Sequence, residues 1–460
     1  MMRLRTLGLA LLLVACAQPL EKGDPLPAAR FHFPTGVALT PERPDLPQRL
    51  LVVSSNVDLR YRSGLVHAFD REALDALIDE AVAACEGEDC PIPHVMDLAP
   101  ALVGGVEIGD LAGEIAAVAL EREGLPPVRA FVPVRGTGSV VAVDLDDEGI
   151  RCTRRDGRCI DGGATFPRED PFLVTTGLGM VFVGHATLFR RSTGAVGVAP
   201  ADAPFWETGG GVLSAVTLGR TAIGGLAVGN CRTEGGRERC TLFASSRSAA
   251  DAQRIFAFDF AQNAFPLTPI FSRNLAPAQD GMDSRGLAIS PSRPRAYLAQ
   301  RGPDALAIVD VSRMPDLPSD GCVVPEDVEI PDGEACPDLP GPTGEPPRFA
   351  TVALSPAPLR PLVPAVIERT TPEGESRDLV VLATERELAF YDAETAALVG
   401  NVENVGRGVS GIAIAPRGEG VRLYLPLFGR SILTVVDVPD LFRPQTARVV
   451  ARLGPPREED

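Results

Sequence analysis

The residues able to do chemistry form three sets: recurring aspartates, paired cysteines and scattered arginines. Six short apolar runs end in an aspartate, at Asp70, Asp144, Asp259, Asp310, Asp392 and Asp437. If the runs converged, the six carboxylates would make a ring of metal ligands or acids. The favoured reading is that each marks a strand end, with its side chain accepting hydrogen bonds from the turn that follows. Asp144-Leu-Asp146-Asp147-Glu148-Gly149 resembles half of an EF-hand loop, but its twelfth position is Arg155 where a bidentate Glu is required. The chain has no H-E-x-x-H, G-x-S-x-G, P-loop or C-x-x-C-H signature. No catalytic residue, metal ligand or cofactor is therefore assigned from motifs.

The cysteines point to export. Arg3 and Arg5 form a positive n-region, Leu7 to Ala15 an apolar h-region, and Cys16 follows at once. That run is too short to cross about 30 Å of hydrocarbon but has the length of a signal-peptide core. Leu13-Val14-Ala15-Cys16 looks like a bacterial lipobox, so residues 1–15 are read as a lipoprotein signal peptide and Cys16 as the lipidation site; an ordinary signal peptide is the alternative. Ala17 is not the Asp that retains some lipoproteins at the inner membrane, which favours the outer membrane. The other eight cysteines fall in close pairs, Cys85/Cys90, Cys152/Cys159, Cys231/Cys240 and Cys322/Cys336. Short loops close at the lowest entropy cost, so four local disulfides are expected in an oxidising compartment. A metal site is the rival, but no pair has C-x-x-C spacing and His32, His67, His94 and His185 lie far from most pairs.

Formal charge is -17, and Lys22 is the one lysine among 44 basic residues. So acidic a surface repels nucleic acid and anionic lipid, which leaves the lipid anchor as the expected membrane contact.

The elements that must position these residues repeat. Upstream of the aspartates stands a second phrase, Gly36-Val-Ala-Leu, Gly225-Leu-Ala-Val, Gly286-Leu-Ala-Ile and Gly411-Ile-Ala-Ile, with Gly-less versions at Ala116 and Ala350. In the clearest unit Gly286-Leu-Ala-Ile-Ser-Pro is followed by Arg295-Ala-Tyr-Leu-Ala, a polar turn at 300–304, and Ala305-Leu-Ala-Ile-Val-Asp310. Gly, Pro and Asp separate the short strands. The aspartates stand 74, 115, 51, 82 and 45 residues apart, and the longest gap holds a degenerate unit. Seven units of this size predict an all-β, seven-bladed β-propeller over residues 31–454. Residues 16–30 are expected to be a flexible tether and 455–460 a disordered acidic tail. The ring is expected to close by packing the first blade on the last, without the N-terminus completing the final blade. Leu74, Leu77, Ile78, Ala81 and Val82 form a helical stripe behind Asp70, predicting a short inserted packing helix. Trp206, in a Pro/Gly-rich insertion, is read as core packing.

The pattern Gly-Val-Ala-x-x-Pro, then an apolar-Tyr strand ending in Ala-x-Arg-Gly, then an apolar run ending in Asp, is similar to the YVTN-type β-propeller repeats. The likeness covers Thr35 to Asp437 in segments and is strongest at 284–313 and 408–440. It departs from the pattern in the third unit, in missing glycines and in long insertions. The resemblance relates the chain to lactonase-like and NHL-like propellers, and implies fold far more than function.

In an antiparallel blade the turns joining strands one to two and three to four share a face, here called lower, and the two-to-three turns lie on the upper face. All four cysteine pairs sort to the lower face. The upper turns carry arginine: Arg60 and Arg62, Arg135, Arg190 and Arg191, Arg247, Arg301, Arg386 and Arg430. Guanidinium groups recognise carboxylate and phosphate bidentately, so this ring is a candidate site for an anionic ligand or acidic protein surface. The alternative is that the repeat simply places Arg at this turn in a nearly Lys-free chain. The expectation is a monomeric, lipid-anchored envelope propeller acting as a non-enzymatic binding module for an envelope protein, glycan or anionic ligand. The rival is a lactonase- or hydrolase-type enzyme working at the central channel.

Overall fold

The computed structural model describes residues 23–456 apart from 86–89, 168–169, 186–193, 204–205, 207–213, 219–221, 248–252, 262–267, 277–282, 302–303 and 312–351. They form seven antiparallel sheets in chain order, each with its first strand innermost. Blade 6 shows the plan: Val363–Thr370, Ser376–Ala383, Leu388–Asp392 and Ala397–Val402. The degenerate third unit is a true blade, Pro171–Gly177, Met180–His185, Ala195–Pro200 and Ser214–Thr217. Second and third strands are covered on both faces by neighbouring blades. They therefore read as unbroken apolar runs, such as Leu50-Leu51-Val52-Val53, all fully buried.

The glycine phrase has a steric cause. A Cβ on Gly225 would lie 2.5 Å from the Leu287 amide nitrogen, and one on Gly286 would lie 2.5 Å from Pro364 Cδ. Blades converge toward the axis, and at that radius only hydrogen fits.

The aspartates behave differently from the expectation. Arginine pairs with at least five of the six: Asp70 with Arg49, Asp144 with Arg129 at 2.7 Å, Asp259 with Arg232 at 3.0 Å and also with Arg239, Asp392 with Arg369, and Asp437 with Arg422 at 2.7 Å. In blades 1, 2 and 7 the register sets an arginine near the start of strand two opposite the aspartate at or near the end of strand three: Arg49 faces Asp70, Arg129 faces Asp144, and Arg422 faces Asp437. Turn capping survives at Asp70, which accepts from the Ala73 N–H at 3.0 Å, and at Asp392, which accepts from Glu394 and Thr395.

All four full strands of blade 7, from Ala413–Arg417 to Arg448–Leu453, come from the C-terminal segment. The seam to blade 1 is closed by the insertion after the first blade's third strand. Helix α1, Arg71–Ala83, starts at the Asp70 cap and buries Leu74 and Ile78. From its outer side Asp75 and Asp79 reach the guanidinium of Arg422 at 2.8 and 3.0 Å, and Asp75 also accepts from the Tyr424 hydroxyl. Farther on, His94–Val95 adds a fifth, parallel strand outside Arg448–Leu453. His94 Nε2 donates to the Gly454 carbonyl at 2.6 Å. The inserted helix is thus a packing element, and it clasps the ring.

Three cysteine pairs are joined, Cys85–Cys90, Cys152–Cys159 and Cys231–Cys240; Cys322 and Cys336 lie outside the described residues. Cys231–Cys240 crosslinks a long hairpin, Ile223–Glu234 with Arg237–Ser246, at the lower face. Cys152–Cys159 departs from the expected sorting. The fourth strand of blade 2 is split into Gly149–Cys152 and Ala164–Thr165, both paired with Ser139–Asp146. The disulfide closes the loop between the two pieces, so it sits on the outer rim. Trp206 is buried against Phe131, with ring centroids 4.8 Å apart. Among the described residues no helix is long and apolar enough to cross a membrane.

Candidate functional site

A cavity of about 180 Å³ lies where the first strands begin. First strands run from the upper face to the lower, so this is the upper mouth of the axial channel, on the face of the arginine turns. Its wall is mostly glycine and aliphatic, with Gly36, Gly225, Gly286 and Gly411 among the lining residues, and two charged residues, Glu114 and Arg285, also line it. Glu114 precedes the first strand of blade 2 and Arg285 lies in that of blade 5, Asp283–Ile289. Three steps round a ring of seven set them across the axis.

Glu114 is held by three blades. Its N–H donates to the Phe172 carbonyl of blade 3 at 2.9 Å, and the adjacent Gly113 carbonyl accepts from Thr35 Oγ1 of blade 1 at 2.9 Å. The Val174 N–H approaches Oε2 at 3.4 Å, a long and weak contact. Desolvation outweighs it and lifts the carboxyl to about 7. Ser410 Oγ, in the lining of the same mouth, donates to the Pro34 carbonyl at 2.7 Å and ties blade 7 to blade 1.

Among the described residues the arginines of the upper turns do not line this mouth, and they occur in several states. Arg62 forms a bidentate pair with Glu107, and Arg135 lies 3.3 Å from Asp170. Arg301 Nε donates to the Pro361 carbonyl at 3.1 Å, and Arg60 lies over the Tyr61 ring. Arg247 is half-buried, whereas Arg386 and Arg430 are exposed. Arg190 and Arg191 lie outside the described residues, as does Cys16. The motif search missed Glu114 and Arg285. Both flank the apolar phrases, and a charge next to an axis-facing glycine was the signal available.

The histidines belong to the fold. His67 Nδ1–H donates to the Ala28 carbonyl at 2.7 Å, which leaves Nε2 to accept from Ser54 Oγ at 2.7 Å, and Ser54 Oγ accepts from the His32 N–H at 3.0 Å. A serine hydroxyl on a neutral imidazole is the arrangement that activates a nucleophile. Here both side chains are fully covered, and burial holds His67 down at about 4. The chain of bonds fastens residues 28–32 to blade 1, where Leu26 and Phe31 are also buried. His32 adds a 2.7 Å contact to Asp58. Among the described residues no cluster of three or more His, Cys, Asp or Glu could hold a metal ion.

No protein-family profile and no curated protein matches the chain. Solved structures do. Hydrazine synthase from Kuenenia stuttgartiensis aligns over 92% of this chain and 99% of that one, with a TM-score of 0.51 and 11% identity. Apo AztD from Citrobacter koseri aligns over 91% and 87%, at 0.42 and 12%. A protein from Bacteroides uniformis assigned as a 6-phosphogluconolactonase aligns over 84% and 92%, at 0.45 and 13%. At such identities the likeness speaks of the fold alone: the chain is a seven-bladed β-propeller whose structural neighbours carry mixed functions.

Proposed function

We propose that this chain is an exported, lipid-anchored β-propeller of the YVTN kind that binds a small anionic ligand at the upper mouth of its channel. The observation that carries this reading is that one acidic and one basic residue, Glu114 and Arg285, line one cavity whose wall is otherwise glycine, aliphatic residues and Ser410. Arg285 suits a carboxylate or phosphate, and Glu114 suits a hydroxyl or amine on the same molecule. The arginine turns of the upper face would raise the local concentration of an anion that the acidic body otherwise repels. Paired cysteines and the basic-apolar-Cys16 leader support an oxidising, envelope location with the lipid on Cys16. Binding rather than turnover is proposed because the mouth offers one carboxyl and one guanidinium, a recognition pair, and the hydroxyl-imidazole pair at Ser54 and His67 is covered.

The test is isothermal titration of the full chain with a panel of small hydroxy acids, sugar phosphates and amino acids. Binding that falls at least tenfold in both Glu114→Gln and Arg285→Ala supports the site; equal affinity in wild type and both variants overturns it. Membrane fractionation of Cys16→Ser tests the anchor, since the variant is expected in the soluble fraction.

A further inference from the structure

A second cleft, of about 710 Å³, lies on the outer rim between blades 1 and 2. Its floor is the outermost strand of blade 1, Leu102–Ile108, which pairs with Gly64–Asp70 on one side and with no strand among the described residues on the other. An outermost strand presents a row of backbone N–H and C=O groups able to receive another chain. The opposite wall is the disulfide-closed loop that splits the fourth strand of blade 2.

Three further observations make this edge unlike a bare one. Gly105 is exposed in mid-strand, and a Cβ there would meet only the Leu65 side chain, at 3.4 Å or more. Nothing in the fold demands glycine at this point, whereas a second backbone approaching closely would. Arg62, Arg151 and Arg158 line the cleft against one carboxylate, Glu107, in a chain whose net charge is -17. Arg151 and Arg158 are 53% and 60% exposed; Arg151 is paired with Asp146, and Arg158 is paired with Asp161 and also feels the charge of Asp156. A guanidinium has five N–H donors and one carboxylate occupies at most two of them, so each retains donors for a second anion. Val106, Ile150 and Ile160 supply apolar lining between them.

We infer that this cleft takes an extended acidic segment of a partner protein, which adds as a strand to Leu102–Ile108. Its carboxylates would meet Arg151 and Arg158, and alternate apolar side chains would meet Val106 and Ile150. Main-chain hydrogen bonds supply affinity in this mode, and alternate side chains supply specificity. Nucleic acid offers charge without a strand edge, and the acidic body disfavours it.

The probe is a fluorescein-labelled (Glu-Val)4 peptide titrated against the full chain and followed by anisotropy. Saturable binding is expected, at least tenfold weaker in the Arg151→Ser/Arg158→Ser double variant and in Gly105→Val, with the melting temperature of Gly105→Val unchanged. Bound peptide should also slow amide exchange at 102–108, and Glu114→Gln should leave binding intact, which separates this cleft from the axial mouth. Absence of binding overturns the proposal. So does equal affinity in both variants, equal binding of (Lys-Val)4 or of the block isomer Glu4Val4, or binding of anionic vesicles in place of the peptide.

Discussion

Replacing Glu114 with Gln should change how stability depends on pH, by an amount that follows from the site. The carboxyl titrates near 7 in the folded chain against 4.5 when exposed. The folded state therefore holds the proton more tightly. The resulting stabilisation is fully present below pH 4.5 and is lost as pH rises through 7. A 2.5-unit difference corresponds to about 3.4 kcal/mol in all, of which about 2.5 kcal/mol falls between pH 5 and pH 8. His67 runs the other way. Its folded value near 4 against 6.5 means that stability is complete above pH 6.5 and is lost as pH falls toward 4. Between pH 4.5 and 6.5 the two slopes nearly cancel in the wild type.

The variant removes one slope and leaves the other. The stability of Glu114→Gln minus that of wild type should rise by about 2.5 kcal/mol from pH 5 to pH 8, and taking the difference cancels His67 and every other distant group. Glu114 faces a water-accessible mouth on one side, so about half of that figure already meets the expectation. Urea unfolding midpoints of both proteins at pH 5, 6, 7 and 8 give the curve. A difference that stays within about 0.5 kcal/mol across the range would refute the desolvated carboxyl.

Three further outcomes follow from the packing. Arg422→Ala leaves Asp75 and Asp437 facing each other without their common cation and loosens α1 from blade 7; thermal unfolding should show a loss of about 3–5 kcal/mol. Gly225→Ala places a methyl 2.5 Å from the Leu287 amide, so blades 4 and 5 must separate; a cost of at least about 2 kcal/mol is expected, against a neutral Gly105→Ala measured alongside. The double variant Cys152→Ser/Cys159→Ser releases a loop of about eight residues, and by loop entropy it should lower the unfolding free energy by about 2.5 kcal/mol.

What was legible in the sequence had a cause that recurs in several blades. Glycine stands where first strands of blades 4 and 5 meet their neighbours too closely for a Cβ, and in blades 1, 2 and 7 the strand-ending aspartate stands where the antiparallel register sets an arginine opposite. The arginine half of that pattern was also visible, in Arg49-Leu-Leu-Val, Arg129-Ala-Phe-Val, Arg239-Cys-Thr-Leu, Arg295-Ala-Tyr-Leu and Arg422-Leu-Tyr-Leu. Reading it would have shown that the aspartates are neutralised partners and not turn acceptors alone. The features that stayed hidden depend on distances that no local pattern encodes. Arg422 meets Asp79 across 343 residues, and Glu114 meets the cavity of Arg285 only because the ring has seven blades.

The same reasoning sharpens the question of where an anion binds. Repeat arginines at the start of second strands are tied to carboxylates on the lower half of the blades, so they are electrostatically closed. Exposed arginine remains at the upper turns, with Arg386 and Arg430, and on the rim loop that carries Arg151 and Arg158. A buried ion pair gains little from a second anion, because the partner carboxylate repels it and the guanidinium is out of reach; a guanidinium more than half exposed, even when paired as Arg151 and Arg158 are, keeps donors in water that a second anion can take. The two proposed anion sites therefore lie where guanidinium groups still face water, at the upper mouth and the rim, and the paired arginines below serve the packing of the blades.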